Sequence, residues 1–373
     1  MKIAIDARGA TWYKGTGIGT YTNQVLQYLL SEDFINQYHL YWAGPNYREI
    51  YKENVTINVS SKRHHRFFED YYIPQNIKNN NVDIYHVPQN GIGLSKRIDC
   101  PCVSTIHDLI PYVMPETVGK GYLKKFIAQM PEIISSSTNI ITVSEFSKQD
   151  IIRIFDVPPD NIKVTHLAAD HIFKPLDKET TKSYIKEKYN IEKDFLLYLG
   201  GFSARKNVRS ILIAFSKIYK KLSKDLNIVI IGPSKDEHQK LTELAKTLGI
   251  EDRIQFTGYV PHEDLPLFYN ACETFIYPSL YEGFGLPPLE AMSCRCPVIT
   301  SNISSIPEIV GDGAYLINPR SIEELTTAIE KMVDDTALRS SYIEKGFTRS
   351  AEFSWEKTAK ETLEVYKSIY RTI

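Results

Sequence analysis

The chain has 373 residues, 43% of them hydrophobic and 24% charged, and its 44 basic and 45 acidic residues leave a net charge of −1. That length exceeds what one hydrophobic core serves, so two domains are expected, and the balanced charge offers no global field for nucleic acid. No run approaches the ~18 uninterrupted apolar residues of a membrane span, and the opening MKIAIDAR has a strand pattern rather than that of a secretory leader, so a cytoplasmic protein is expected.

From the N-terminus, short apolar, β-branched or aromatic runs alternate with helix-length amphipathic segments, the pattern of parallel α/β layers. KIAIDA, HLYWAG, VTINV, DIYHV, VSTIHD and NIITVS are the predicted strands of the first half. After the first of them, Gly15, Gly17 and Gly19 in KGTGIGTYT open an amphipathic helix. Glycines there admit a close backbone approach, and helix N-terminal amides attract phosphate; a plain tight turn accounts for the glycines equally well. A dinucleotide fingerprint would follow its strand directly and be answered by an acidic residue about 20 positions on, whereas HLYWAG ends in Gly44, which counts against an NAD-dependent oxidoreductase. His107 and Asp108 close VSTIHD, where an imidazole can donate to a sugar hydroxyl or carbonyl or serve as a locally bonded structural histidine. Ser144, with Ser147 and Asp150, has the pattern of a helix N-cap.

Two stretches mix bases with aromatics. SKRHHRFFEDYYIP carries Lys62, Arg63 and Arg66 beside Phe67, Phe68, Tyr71 and Tyr72, and GKGYLKKF carries Lys120, Lys124 and Lys125. Such composition suits an anionic membrane surface as well as a solvated loop. Five cysteines in a chain without an export signal imply free thiols; the pairs Cys100/Cys102 and Cys294/Cys296 lack the C-x-x-C spacing of a zinc site.

HLAADHIFKPLDKETTKS interrupts the alternation near residues 175–180 and divides the chain into domains 1–178 and 179–354, with a final helical segment 355–373. In the second domain FLLYLGG, NIVIIG, IQFTGY, TFIYPS, PVIT and AYLI are predicted strands, separated by helices such as Val208 to Leu222, Glu237 to Leu248 and Ile322 to Val333. Ligands of open α/β sheets sit beyond the carboxyl ends of the strands, and Arg205 and Lys206 follow FLLYLGG just before a helix. Cations at that end are disfavoured by the helix dipole unless an anion compensates, which suits a diphosphate held by a guanidinium fork and a point charge. In SLYEGFGLPPLEAMSCRCPVIT the prolines predict a helix beginning near Pro288, which makes Glu290 a first-turn carboxylate favoured by the dipole. Glu282 lies before the glycines, where no structural need for a carboxylate is apparent. Carboxylates repel phosphate and accept hydrogen bonds from hydroxyls; together with the cations and the bare amides of Gly283 and Gly285 they describe a site for a nucleotide sugar.

These residues are familiar as a set. E-G-F-G-L-P-P-L-E resembles the E-x7-E motif of the retaining, GT-B-fold glycosyltransferases of family 4, and IDAR, TGIGTYT, HDLIP, VSEFSKQDI, ARKN, TGYV and SNISSIPEIVGDGAYLINP resemble the same family in the same order. Within it the likeness is to bacterial O-antigen and capsule mannosyltransferases. The resemblance implies two Rossmann-like, doubly wound domains facing a central cleft, with the last helix returning from Trp355 to the first domain. It implies a nucleotide-diphosphate sugar such as GDP-mannose or a UDP-sugar, and a glycan or lipid-linked glycan acceptor, with peripheral contact at the inner face of the membrane. It assigns sugar hydroxyls to Glu282, ribose to Glu290, and sugar and phosphates to the amides of Gly283, Phe284, Gly285 and Leu286. It assigns the diphosphate to Arg205 and Lys206, phosphates to Gly17 and Gly19, the reacting sugar to His107 and the base to Gly258, Tyr259 and Val260. No cofactor or metal is expected: no D-x-D occurs, Asp334 and Asp335 being adjacent. The remaining rival is a sugar-binding regulatory protein on a decayed transferase scaffold. Two positions depart from the family pattern, Gly201 where arginine is common and Arg295 where glycine often follows the E-x7-E helix.

Overall fold

The computed structural model describes residues 1–44, 46–60, 64–232 and 236–372. The chain divides into two compact units, Met1–Leu167 with Ser354–Ile373, and Ala168–Phe353. The division thus falls ahead of residue 178, because the strand Ile162–Val164 completes the first sheet and the chain crosses straight afterwards.

In the first unit β1 (Lys2–Asp6), β2 (Gln37–Ala43), β3 (Val55–Ser60), β4 (Ile84–Val87), β5 (Cys102–Ile106), β6 (Asn139–Thr142) and β7 (Ile162–Val164) form one sheet in the order β3-β2-β1-β4-β5-β6-β7. In the second, β8 (Phe195–Leu199), β9 (Asn227–Ile231), β10 (Ile254–Gly258), β11 (Thr274–Tyr277), β12 (Val298–Ser301) and β13 (Tyr315–Ile317) are ordered β10-β9-β8-β11-β12-β13. Pairings such as β1 with β4 and β8 with β11 are parallel. The central strands are buried along nearly their whole length, as a parallel sheet covered on both faces requires. This explains why they appear in the sequence as continuous apolar runs. β7 escaped that reading: three residues at a sheet edge, with exposed Lys163 in the middle, leave too little signal.

Strand order reverses at β1/β4 in one sheet and at β8/β11 in the other, and those carboxyl ends are where a doubly wound sheet offers a ligand crevice. The helix Trp355–Tyr370 belongs to the first unit. Its Tyr366 hydroxyl lies 2.6 Å from His86 Nδ1, His86 Nε2 lies 2.8 Å from the Thr105 hydroxyl, and Tyr21 meets the same hydroxyl at 3.1 Å. Trp355 packs its edge toward Tyr21.

Candidate active site

The loop after β8 is built to bring two cations to the sheet's edge. Gly200 has φ +150°, and a Cβ on Gly232 would lie 2.3 Å from the Gly200 carbonyl, so the ends of β8 and β9 can approach only as glycines. Ala204–Lys206 is a single 3₁₀ turn, and Asn207 in the left-handed region redirects the chain into the helix Val208–Ile218. Asn207 Nδ2 donates to the carbonyls of Pro278 at 3.2 Å and Pro319 at 2.7 Å, while Leu280 N donates to the Arg205 carbonyl at 2.7 Å. The turn after β8 is thereby tied to the loop after β11.

Glu282 sits on that second loop, and it is ion-paired to both cations: Arg205 Nη1 at 2.8 Å from Oε2 and Lys206 Nζ at 2.7 Å from Oε1. The Tyr277 hydroxyl donates to Oε1 at 3.0 Å, and Arg205 also donates to the Tyr281 carbonyl at 2.6 Å. Burial by itself would raise this carboxyl; the charges of Lys206 and Arg205 overcome it and hold it down at about 2. Glu282 is therefore ionised at neutral pH. The expectation that nothing structural needs a carboxylate here is corrected, since Glu282 is the anion that allows two cations beside the start of a helix. Two positive charges against one negative still leave the cluster with a net +1.

Behind the cluster the loop is held from within. Buried Ser305 donates its hydroxyl to the carbonyls of Glu282 at 2.9 Å and Phe284 at 2.8 Å, and Glu282 N donates to Ser304 Oγ at 3.2 Å. Gly285 has φ +109°, with Ile306 Cδ1 2.5 Å from where a Cβ would stand, so neither conformation nor space admits a side chain. Phe284 is buried, with its ring edge-on to Phe353 at 6.2 Å. Gly283 and Leu286 flank these positions in the same loop.

The helix begins at Leu286 rather than near Pro288, which makes Glu290 its fifth residue. The first-turn explanation of Glu290 fails with it: this carboxyl is buried inside the helix and accepts a hydrogen bond from the Tyr269 hydroxyl at 3.1 Å. Burial drives Glu290 up to about 7, the Tyr269 bond counters part of the rise and Asp170 adds to it. After the helix, Arg295 takes φ +57°, a left-handed conformation that glycine adopts without strain. Here the guanidinium lies 4.3 Å above the Phe347 ring and pairs with Glu344, contacts that offset the backbone cost.

Other sequence candidates fall elsewhere in the two units. Gly258 has φ +71°, Tyr259 is 81% exposed and Val260 is buried. In the first unit, the helix Gly17–Glu32 starts with Thr16 Oγ1 accepting from Gly19 N at 3.3 Å. A Cβ on Gly19 would lie 2.1 Å from the Tyr13 carbonyl, whereas one on Gly17 would meet nothing within 4 Å. Gly19 thus serves the turn itself, and Gly17 has open space above it. His107 Nε2 donates to the Pro88 carbonyl at 2.9 Å, and burial lowers its pKa to about 4 against that bond, so the imidazole is neutral. Ser144 caps its helix, accepting from Ser147 N at 3.0 Å. The two C-x-C pairs lie in different units, and among the described residues no group of three His, Cys, Asp or Glu side chains is arranged to hold a metal. Asn207, Tyr269, Tyr277 and Ser305 were missed by sequence reasoning; Asn207, Tyr269 and Ser305 act through contacts to residues distant in the chain, and Tyr277 meets Glu282 only because the loop between them folds back, so none leaves a local pattern.

The comparisons with known proteins bear on the family and the fold. The model of the glycosyl transferases group 1 matches residues 181–349 and that of Glycosyltransferase Family 4 matches residues 15–171. The O-antigen chain mannosyltransferase B of Escherichia coli is 34% identical over 284 residues, 76% of this chain and 74% of that protein. The serotype-specific mannosyltransferase WbdA of Escherichia coli is 29% identical over 274 residues; there the match takes in 72% of this chain but 34% of the relative, about a third of its length. Among solved structures, sucrose-phosphate synthase from Thermosynechococcus elongatus superposes with a TM-score of 0.78 at 17% identity over 100% of both chains. Anabaena HepE in complex with UDP and glucose gives 0.77 at 16% identity, over 99% of this chain and 100% of that one. Two parallel, doubly wound sheets with this likeness define the GT-B fold of glycosyltransferases. The chain belongs to glycosyltransferase family 4.

Proposed function

We propose that this chain is a retaining hexosyltransferase that takes a hexose from a nucleotide-diphosphate sugar, GDP-mannose before UDP-sugars, to a glycan or lipid-linked glycan in surface polysaccharide synthesis. The observation that carries the reading is the cluster of Arg205, Lys206 and Glu282 at the β8/β11 reversal, two cations beside the start of a helix that share one carboxylate. Mannosyltransferase names among the relatives favour mannose.

In this reading the diphosphate takes Arg205 and Lys206, and Glu282, released from them, accepts hydrogen bonds from the sugar. Amides of Gly283 to Leu286 meet sugar and phosphate, Glu290 holds ribose hydroxyls, and Tyr259 with its neighbours Gly258 and Val260 flanks the base. In the first unit, Gly17 is open to phosphate and His107, a neutral imidazole, contacts the transferred sugar as a positioning group. The bond from the anomeric carbon to the leaving phosphate breaks through an oxocarbenium-like state; the acceptor oxygen attacks on the same face and its proton passes to the departing phosphate. Arg205 and Lys206 stabilise the charge that develops on the leaving diphosphate, a role in which losing one fixed donor costs roughly ten to a thousandfold in rate, and no metal is then required.

For the lipid side of an acceptor, exposed Phe67, Tyr71 and Tyr72 near Arg66, and exposed Lys120, Lys124 and Lys125, support peripheral contact with an anionic membrane on the cytoplasmic side. Phe68 is excluded from such contact because it is buried against Tyr41, and Lys62 and Arg63 lie outside the described residues.

The test is a panel of UDP-, GDP-, ADP- and dTDP-sugars with nucleotide release measured in excess EDTA and the product anomer read by NMR. Release from one donor with the anomer retained is expected. Inverted product, or activity that vanishes in EDTA and returns with manganese or magnesium, overturns the mechanism.

A further inference from the structure

Glu282 is only 8% exposed, and Arg205 and Lys206 are what make its charge tolerable there. A diphosphate that takes the two cations strips those partners away and adds negative charge beside the carboxylate. Burial then raises the carboxyl until it binds a proton, unless hydrogen bonds to the charged form hold it down. A protonated carboxyl is a poor acceptor for a sugar hydroxyl. Uncharged donors must therefore keep it ionised and in place.

Two hydroxyls are placed for that. Tyr277, 1% exposed at the end of β11, donates to Glu282 Oε1 at 3.0 Å and accepts from Lys206 Nζ, so one phenol links the cation to the carboxylate. Its ring stacks on Tyr198 at 6.4 Å and Phe275 at 5.8 Å, and its carbonyl accepts from Thr300 Oγ1 at 2.8 Å. Burial and the Glu282 charge push this phenol well above its ordinary value, which keeps it a donor. Tyr198, also within electrostatic reach of Glu282, spends its hydroxyl on the Gly201 carbonyl at 2.7 Å.

Ser279 supplies the second hydroxyl. Its Oγ is buried with no hydrogen-bond partner among the described residues, yet it stands close enough to Glu282 to help hold that carboxyl down. The backbone around it is pinned at three successive residues: the Pro278 carbonyl to Asn207, the Ser279 carbonyl to Ser301 Oγ at 2.6 Å, and Leu280 N to the Arg205 carbonyl. A donor fixed in this way and still unfilled is ready for a carboxylate that loses other partners.

We propose that Tyr277 and Ser279 are positioning residues for the transfer: when Arg205 and Lys206 turn to the diphosphate, Tyr277 keeps Oε1, Ser279 donates to the same carboxylate, and Oε2, vacated by Arg205, accepts from the sugar. The proposal rests on the transferase reading above. It deepens that reading by naming the neutral contacts that keep the sugar-binding carboxylate ionised while the donor is bound.

The experiment follows kcat against pH for Tyr277→Phe and Ser279→Ala, with whichever donor releases nucleotide, beside calorimetric titration with GDP and UDP. The acid limb of kcat reports groups of the bound enzyme. In Tyr277→Phe that limb should move up by about one pH unit, the effect of losing one hydrogen bond to a charged group, and kcat above the limb should fall roughly tenfold. Diphosphate affinity, which rests on the cations, should stay within about threefold of the original and shows that the variant is folded. Ser279→Ala should shift the limb in the same direction, and it carries the test should Tyr277→Phe not fold. An unmoved limb in the folded variants, or a loss confined to diphosphate affinity, overturns the proposal. If no donor turns over, the transferase reading fails, and proton uptake on nucleotide binding, read in buffers of different ionisation heat, still decides the positioning: greater uptake by the variants supports it, whereas equal uptake or no nucleotide binding overturns it.

Discussion

At the scale of single residues, the informative fact is that Glu282 already occupies the cations that a diphosphate would need. An incoming diphosphate must displace it, so the carboxylate is an internal competitor as well as a candidate sugar ligand. Replacing Glu282 by glutamine removes the competing charge and keeps the shape. Nucleoside diphosphate should then bind roughly threefold to tenfold more tightly, about 1 kcal/mol, while turnover with the whole donor falls roughly a hundredfold or more. Calorimetric titration beside a rate assay measures both, and weaker diphosphate binding by the variant would falsify the competition. Arg205→Ala points the other way, weakening diphosphate binding and turnover together. Much of this was legible in the sequence, since Arg205, Lys206, Glu282 and Glu290 stood out as charges where strands end. Their mutual pairing was not legible, because Arg205 and Glu282 are brought together only when β8 and β11 become neighbours.

Among the elements, the helix Trp355–Tyr370 makes the clearest case for stability. Although it follows the second unit in sequence, it buries Trp355, Val365, Tyr366 and Ile369 in the first. Tyr366→Phe leaves His86 Nδ1 without its partner in a site where both rings are buried, a loss of about 1–3 kcal/mol. Urea denaturation followed by first-unit probes should show the drop, with Tyr370→Phe, at an exposed position of the same helix, as the unaffected control. An unchanged midpoint in Tyr366→Phe would mean that the hydrogen bond contributes nothing net. Long amphipathic helices such as this one and Ile322–Asp334 were predicted nearly to their ends. The short helix Leu286–Ser293 was misplaced by two residues, because the proline rule assigns both prolines to a first turn that in fact opens with Leu286.

On the scale of the whole molecule, the two units carry opposite dependences on pH. In the first, burial lowers His86 to about 3, with neighbouring His107 adding to the effect, and His107 itself to about 4. Both lie below the ordinary ~6.5, so the unfolded chain binds their protons first: the stability is complete above about pH 6.5 and is lost as pH falls toward 4 and 3. In the second, Glu290 at about 7 lies above the usual carboxylate value of ~4.3, so its contribution is complete below that value and is lost as pH rises through about 7. Between pH 5 and 6.5, the slowest-exchanging amides of the first unit should gain protection and those of the second lose it. One proton's difference corresponds to about 1.4 kcal/mol per pH unit. Glu290→Gln should flatten the second trend and leave the first; parallel trends in both units would contradict the assignment.

The sequence by itself determined the class of fold, the strands long and apolar enough to be covered on both faces, and the residue types of the site, because periodicity and residue chemistry are local properties. It also carried the family, through motifs in a fixed order along the chain. Only the tertiary structure decided what those residues do to one another. It made Glu282 the counter-ion of Arg205 and Lys206, raised Glu290 by burying it, and gave Gly19 to the turn while leaving Gly17 open. Each of these outcomes depends on distances between segments far apart in sequence, and parallel strand order, which no local pattern encodes, sets those distances.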